Sequence, residues 1–259
     1  WVELEATGLG ADEENDLIAG TAGGWVFDMK VAKRFDREAS CHIPDYREVI
    51  NLSVDTVIRS AEMVGGCRSQ LRIIDIGCAT GNTIRAFLST GFELVSGVDC
   101  SPSMLDQARE KLPDGVALHC DTRLPPASAN DPEARYHAVI ANWTLIFIPE
   151  LAERLAYIRD IYANLTPGGV LVLTEKTNQD EAVRGMYWDF KRRRGVSEEE
   201  IQAKARKLQG VLTTQPASWY DSALSDVGFE SISVAWARYG FVTFIARKST
   251  GGDSTVRSS

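Results

Sequence analysis

The segment from Leu71 to Asn82 constrains the fold of this chain more than any other. Its first six residues are dominated by Leu and Ile with no helical period, which indicates a buried parallel strand that carries Asp75 near its end. Gly77 and Gly81 frame a tight turn, because glycine allows backbone conformations and close ligand approach that a Cβ atom prevents. A helix is predicted from about Asn82 to Leu88, and its free amides suit an anionic group.

A second apolar run, from Glu93 to Val98, also ends in an acid, Asp99, which lies 22 positions after Gly77. In doubly wound sheets, an acid about 20 residues after the first glycine, at the tip of the second strand, accepts hydrogen bonds from ribose hydroxyls. The two segments together predict the nucleoside-binding half of such a sheet.

The spacing of the glycines bears on which nucleoside is bound. A dinucleotide site needs G-x-G-x-x-G, because the backbone packs on a pyrophosphate. Here the turn reads Gly77-Cys-Ala-Thr-Gly81, with Ala79 where a middle glycine would stand. This pattern resembles motif I of class I S-adenosylmethionine (SAM) methyltransferases, whose cofactor has no pyrophosphate. A buried strand–turn–helix with two glycines and no ligand is the structural alternative.

The composition limits the classes of protein to which the chain can belong. With 259 residues, 44% hydrophobic and 25% charged, the chain fits one α/β domain. A net charge of −8 argues against a nucleic-acid-binding surface, and no apolar run approaches the ~18 residues of a membrane span. The acidic N-terminus lacks the pattern of a signal peptide, and the five cysteines lack metal-ligand spacing. We therefore expect a cytoplasmic protein with reduced thiols and no metal, and a homodimer remains open.

Alternating strand and helix patterns predict a doubly wound, mostly parallel sheet of seven strands whose last two strands form a hairpin. Residues 1–24 are predicted to be a mobile segment, 25–248 a single SAM-binding catalytic domain, and 249–259 a disordered tail. Within the domain, two helical patterns in residues 25–65 form an N-terminal helical lid. The residues Thr166-Pro-Gly-Gly169 are predicted to be the turn that stops a long helix before the fifth strand.

Ligands of such sheets bind at the carboxyl ends of the strands, which nominates the residues that follow them. Asp121 and Thr122 follow the third strand, and Asn142 and Trp143 follow the fourth. Trp143 suits cation–π contact with a sulfonium, although a core position is the alternative. Glu175 and Lys176 follow the fifth strand and are interpreted mainly as solvated loop charges.

The resemblance extends beyond the glycine turn. The chain is similar to the carboxy-S-adenosylmethionine synthase group of the class I SAM-binding superfamily, which makes carboxylated SAM from SAM and prephenate. The matching segments are Trp25-Val-Phe-Asp28, Ile43-Pro-Asp-Tyr46, Asp75-Ile-Gly-Cys78, Val98-Asp-Cys-Ser-Pro-Ser-Met104, Asn142-Trp-Thr-Leu145, Leu165-Thr-Pro-Gly-Gly-Val170, Leu173-Thr-Glu-Lys176 and Asp189-Phe-Lys-Arg192. The resemblance implies SAM contacts from the lid residue Tyr46 and from the strand ends. With the residues of the motif itself, the predicted SAM site comprises Tyr46, Asp75, Gly77, Cys78, Ala79, Gly81, Asp99, Cys100, Met104, Asp121, Thr122 and Asn142.

The synthase group grips the extra carboxylate of its product with an arginine, and this chain carries Ala205 at that position, with Arg206 next to it. A shift of one residue on a helix rotates a side chain by ~100°, so Arg206 does not replace that arginine directly. Arg184, Tyr187 and Arg206 are the candidate substrate-binding residues, on helices predicted near the mouth of the site. The run Lys191–Arg194 is interpreted mainly as a solvated helix end, and as a basic rim for a small carboxylate in the alternative.

Because the sulfonium of SAM is already an activated electrophile, alignment of the acceptor matters more than a strong base. The candidate catalytic residues are Tyr46, Asn142, Trp143 and His42, with His42 as the candidate base. The sequence predicts a SAM-dependent methyltransferase that acts on a small molecule. Two alternatives use the same scaffold: formation of carboxy-SAM, and intramolecular attack within SAM that releases methylthioadenosine. SAM binding without turnover is a further alternative.

Overall fold

A computed structural model describes residues 29–125 and 134–251. The predicted mobile segment 1–24 lies outside the described residues, as does most of the predicted tail 249–259. The helices are α1 (Met29–His42), α2 (Tyr46–Val64), α3 (Asn82–Leu88), α4 (Pro102–Lys111), α5 (Leu151–Asn164), α6 (Glu181–Arg193), α7 (Glu198–Lys207) and α8 (Ala217–Val227). The strands are β1 (Ile73–Ile76), β2 (Val95–Asp99), β3 (Ala117–Cys120), β4 (Tyr136–Asn142), β5 (Leu165–Lys176), β6 (Ser231–Arg238) and β7 (Phe241–Arg247).

The seven strands form one sheet in the order β3-β2-β1-β4-β5-β7-β6. Strands β1 to β5 pair in parallel, whereas β7 runs antiparallel to both β5 and β6. The predicted doubly wound fold with a closing hairpin is therefore confirmed. The strand order reverses between β1 and β4, so a crevice opens at their carboxyl ends, where such sheets bind ligands.

Both faces of the sheet are covered, which explains why its central strands are apolar throughout. Ile73 and Ile74, adjacent on β1, are both fully buried and point to opposite faces. Ile74 belongs to a cluster that includes residues of α5 and α8, and Ile73 belongs to one with Phe87 of α3 and Leu105 of α4. The core therefore has three layers, with the sheet between two groups of helices.

One predicted turn lies inside a strand. The sequence predicts that Thr166–Gly169 separates the long helix from the fifth strand, but β5 begins at Leu165, directly after α5. The ladder with β4 is irregular there, since Leu165 pairs with Tyr136 and the next pair joins Val170 to Ala138. Pro167 has no amide hydrogen to give to a ladder, so these residues form an irregular start to the strand.

The helices predicted for residues 25–65 are α1 and α2, separated as expected near residues 42–45. Apolar residues of α2, such as Val54 and Val57, pack into the core cluster that contains β1. Asp45, between the two helices, adopts a left-handed conformation with φ of 50° and accepts a hydrogen bond from Trp236 Nε1 at 3.2 Å. Among the described helices, none is long and apolar enough to cross a membrane.

Candidate functional site

The loop between β1 and α3 is shaped by left-handed backbone conformations. Gly77 and Ala79 have φ angles of 68° and 46°. A Cβ atom on Gly77 would lie 2.3 Å from Oγ1 of Thr144, so no larger residue fits at this position. The amides of Gly77 and Cys78 both donate to the carbonyl oxygen of Val98 on β2, at 2.8 and 3.1 Å. These contacts hold the loop against the end of β2.

Asp99 is the residue that organises this end of the sheet. Its Oδ2 accepts a hydrogen bond from the amide of Ala79 at 2.9 Å, and its Oδ1 accepts one from the amide of Ser101 at 2.8 Å. Burial raises the pKa of Asp99, and these two amides oppose the rise. Burial and the nearby Asp99 also raise the pKa of Asp75 well above its usual value. The lone pairs of Asp99 that the amides leave free are available to a sugar hydroxyl.

A cavity of about 940 Å³ lies above the carboxyl ends of the strands. The predicted SAM-binding residues that line it are Tyr46, Asp75, Gly77, Cys78, Ala79, Asp99, Cys100, Met104, Asp121, Thr122 and Asn142. Gly81 is not among the residues that line it, so its cofactor contact stays a prediction, and the structure gives it a packing role. It precedes α3 with φ of 80°, and a Cβ atom there would lie 2.8 Å from Cδ1 of Leu112.

Asp36 on the lid helix α1 forms hydrogen bonds with the loop between β1 and α3. The sequence did not predict this contact. Oδ1 of Asp36 accepts hydrogen bonds from Thr80 Oγ1 at 2.6 Å and from Asn82 Nδ2 at 2.9 Å, and Oδ2 accepts one from Lys111. Burial disfavours the charged form of Asp36, but the hydrogen bonds from Lys111, Thr80 and Asn82 outweigh it and lower its pKa. The other lid helix contributes Tyr46, whose hydroxyl oxygen accepts a hydrogen bond from Asn82 at 3.2 Å.

The wall after β4 presents unpaired polar atoms. Asn142 donates from Nδ2 to Ser53 Oγ at 3.2 Å, whereas its buried Oδ1 has no hydrogen-bond partner among the described residues. Trp143 Nε1 and His42 Nδ1 are likewise buried and unpartnered within that part of the chain. Buried polar atoms without partners are rare in folded proteins, so these three fit contacts to a bound ligand. Together with the glycine turn and Asp99, they fit the polar groups of SAM.

The side of the cavity formed by the end of β5 and by helices α6 and α7 carries basic residues. Two lysines lie over the ring of Tyr187 of α6, with Lys191 Nζ 4.3 Å and Lys176 Nζ 5.0 Å from the ring centroid. Within residues 29–125 and 134–251, neither lysine forms an ion pair with a carboxylate, whereas Lys204 pairs with Glu38 at 3.0 Å. Burial, with smaller contributions from Lys176 and Lys204, lowers the pKa of Lys191 to about 7. Burial and Arg184 lower the pKa of Lys176.

The three predicted substrate-binding residues, Arg184, Tyr187 and Arg206, all line this cavity, as does Ala205. Tyr187 also packs against Phe241 and donates from its hydroxyl to the carbonyl oxygen of His42 at 2.8 Å. It is therefore both a packing residue and part of the cavity wall.

Two interpretations of charged residues were wrong. The solvated helix end predicted for Lys191–Arg194 holds for the three arginines, which are exposed, but is wrong for Lys191. Lys191 is 6% exposed and faces the cavity, as the alternative of a basic rim requires. The sequence predicts Glu175 mainly as a loop charge, but its side chain is fully buried and accepts hydrogen bonds from the amides of Leu145 and Ile146. Lys176, taken for another loop charge, lines the cavity. Helical spacing and strand ends alone do not show which charges point inward.

His42 lines the cavity but is poorly suited to act as a base. Burial lowers its pKa to about 3, and Lys204 and Lys191 contribute to the effect. An imidazole that binds a proton so weakly stays neutral at physiological pH and gives little driving force for proton abstraction. The arrangement supplies positioning and electrostatic contacts in place of a strong base.

Comparisons with known proteins agree with this geometry. A family model described as a methyltransferase domain matches residues 74–171. The carboxy-S-adenosyl-L-methionine synthase of Trichodesmium erythraeum is 32% identical over 251 residues, which cover 92% of this chain and 95% of that protein. The enzyme of the same name from Sodalis glossinidius is 32% identical over 243 residues, which cover 89% of this chain and 94% of that protein.

The chain belongs to the carboxy-S-adenosyl-L-methionine synthase family. Solved structures support the fold. A SAM-bound amino pentose methyltransferase of Micromonospora echinaspora has a TM-score of 0.54 at 20% identity, over 88% of this chain and all of that one. A SAM-bound magnesium protoporphyrin IX methyltransferase of Synechocystis has a TM-score of 0.51 at 17% identity, over 86% of this chain and 98% of that one. The member of the family described here is a SAM-dependent enzyme of the methyltransferase fold, and SAM is its cofactor.

Proposed function

We propose that this enzyme transfers the methyl group of SAM to a small molecule that carries a carboxylate. The observation that carries the proposal is the buried Lys191 and the half-buried Lys176 beside Tyr187, in the same cavity as the Asp99 loop. Unpaired buried ammonium groups are costly unless they bind an anion. A net charge of −8 argues for a small anion that enters this cavity and against a polyanion such as nucleic acid.

SAM supplies a methyl group that is activated by its sulfonium. The protein residues hold the two reactants in place. Asp99 and the Gly77 loop support the nucleoside part, and the rings of Tyr46 and Trp143 offer faces suited to a cation. The lysines orient the acceptor by its carboxylate. Correct orientation of two reactants contributes a large part of the rate in such a displacement, and an acceptor atom that carries no proton needs no base.

A second candidate is the formation of carboxy-SAM, which the name of the relatives suggests and the basic side of the cavity favours. The residue that argues for methyl transfer is Ala205, which lines the cavity where the resemblance implies an arginine for the product's carboxylate. Alanine offers no donor, and Arg206, which also lines the cavity, leaves the helix axis of α7 ~100° away from that position.

Mass spectrometry of products separates these reactions. The purified enzyme is incubated with SAM alone, with SAM and prephenate, and with SAM and a panel of small carboxylic acids. Methyl transfer predicts S-adenosylhomocysteine and a methylated acid that form only when an acceptor is present. Carboxy-SAM in the prephenate reaction would replace our proposal with the second candidate. Methylthioadenosine from SAM alone would indicate intramolecular attack, and binding without any product would indicate a protein that does not turn SAM over.

A further inference from the structure

Two buried charged residues outside the cavity hold opposite sides of one loop that lines it. Glu175, at the end of β5, accepts the amide of Leu145 through Oε1 at 2.7 Å and that of Ile146 through Oε2 at 3.2 Å. Arg154, on α5, donates from Nη2 to the carbonyl oxygen of Ile148 at 2.6 Å. Both side chains are fully buried. The carboxyl group of Glu175 therefore binds amide hydrogens of the loop, and the guanidinium of Arg154 binds a carbonyl oxygen of the same loop.

Arg154 also reaches the segment between α7 and α8. Its Nη2 donates to the carbonyl oxygen of Thr213 at 2.9 Å, and its Nη1 donates to the hydroxyl of Tyr220 at 3.0 Å. The amide of Thr213 in turn donates to the carbonyl oxygen of Ile146 at 3.1 Å. The guanidinium, a planar fork with several donors, thus joins two stretches of chain that are far apart in sequence.

Both stretches form cavity wall. The loop after β4 contributes Ile146, Phe147 and Ile148, and the segment between α7 and α8 contributes Leu208, Val211, Leu212 and Thr214. Neither Arg154 nor Glu175 is among the residues that line the cavity, so the two act through the wall and not on a ligand.

We propose that Arg154 and Glu175 are positioning residues that fix the acceptor-side wall, formed by residues 145–148 and 208–214, at its working distance from the SAM site. The role of that wall in holding an acceptor rests on the proposed function. Burial raises the pKa of Glu175 to about 8, although Arg154 and the amides of the loop oppose the rise. Burying such ionisable groups costs about as much as their interactions return, so they are weak evidence for stability. The pair is better explained by the geometry that it imposes on two loops with no regular ladder between them.

The test compares the single variants Arg154→Met and Glu175→Gln with the double variant. Each single variant leaves one buried charge without its counterpart, so we expect both to lower the melting temperature. The double variant removes both groups, so we expect it to lose less stability than the two single variants added together. Amide hydrogen exchange is then measured on peptides covering 144–148 and 208–214, with a peptide covering 76–82 as the internal control.

Positioning predicts that the double variant exchanges about tenfold faster than the wild type in 144–148 and 208–214, because the hydrogen bonds that hold these two segments are gone. Exchange in 76–82 and the dissociation constant for SAM, measured by calorimetry, are expected to stay within threefold of the wild type. If exchange in these two peptides stays at the wild-type rate, the two residues have no positioning role and the proposal fails. Faster exchange in all three peptides overturns it as well, since the pair is then a general stability element.

Failure of the proposed function would be visible separately. It would appear as the absence of SAM binding or of methylated product in the wild-type protein, whereas the exchange pattern reports on the two loops alone.

Discussion

The ring of Tyr46 stacks on the indole of Trp143, with their centroids 5.3 Å apart and their planes inclined by 29°. Tyr46 begins the lid helix α2, and Trp143 directly follows β4. The pair therefore joins the lid to the strand ends across the cavity. Trp143 keeps this position in spite of a left-handed φ of 57°, a conformation that is costly for a bulky residue and that is typical of functional sites.

Substitutions of Tyr46 separate the contribution of the ring from that of its hydroxyl. Tyr46→Phe keeps the stack and loses the hydrogen bond with Asn82, so we expect the dissociation constant for SAM to rise about threefold. Tyr46→Ala also removes the aromatic face, and we expect a rise of about thirtyfold. Calorimetry with SAM measures both. Equal affinities of the two variants would contradict a role for the ring.

Asp99 should be the most sensitive side chain of the SAM site. Asp99→Asn keeps the shape but replaces one acceptor oxygen by a donor, which then faces the amide of Ala79 or of Ser101. Losing a charge-assisted acceptor costs about 1.5–3 kcal/mol, so we expect SAM affinity to fall about tenfold to a hundredfold. The matched control is Asp106→Asn on the exposed face of α4, where Asp106 pairs with Arg109. An affinity as high as that of the control would contradict the assignment.

The pH dependence of acceptor use should follow Lys191. Its pKa of about 7 means that the amine is mostly charged at pH 6 and mostly neutral at pH 8.5. Because a carboxylate binds the charged form, we expect KM for the acceptor to rise about threefold to tenfold across that range. A bound anion raises the pKa, so the midpoint moves upward in the complex. Lys191→Met should flatten the profile, whereas Lys207→Gln, on the exposed end of α7, should leave it unchanged.

Asp36 links the lid helix α1 to the loop before α3 and to Lys111. These contacts predict an effect on the dissociation rate constant of SAM. Asp36→Asn keeps the side-chain volume but loses the charge that binds Lys111 and one acceptor for Thr80 and Asn82. We expect SAM to dissociate about tenfold faster in stopped-flow experiments. Asp55→Asn, exposed on α2, is the control. Identical dissociation rates would show that α1 does not restrain the cofactor.

The parts of the site that follow from local sequence were predictable. The strand, glycine turn and helix around Gly77 are encoded within a few residues, and Ser101 caps α4 as its type and its place before Pro102 suggest. Asp36 and Ser53 were not predictable, because they sit on helices and reach the site only through packing between elements distant in sequence. Whether Lys191 is exposed likewise depends on where α6 lies against the sheet, which no local pattern encodes.

Gly77 and Gly91 separate two effects of an added Cβ atom. Backbone strain occurs at both positions, whereas a steric clash with a neighbouring side chain occurs only at Gly77. Both have positive φ angles, of 68° and 87°, so alanine is strained at either position. A Cβ atom at Gly91 would have no atom within 4 Å, whereas one at Gly77 would collide with Thr144, whose Oγ1 donates to Ile76 O at 2.8 Å.

We therefore expect Gly91→Ala to cost about 1 kcal/mol of unfolding free energy, with SAM affinity unchanged. Gly77→Ala should cost about 2–3 kcal/mol more, because the added methyl group displaces the start of the wall after β4. It should also weaken SAM binding by more than tenfold, since that wall carries Asn142 and Trp143. Urea unfolding and calorimetry give the two quantities. Equal losses of stability in the two variants would mean that Thr144 moves aside freely and that the loop tolerates a side chain.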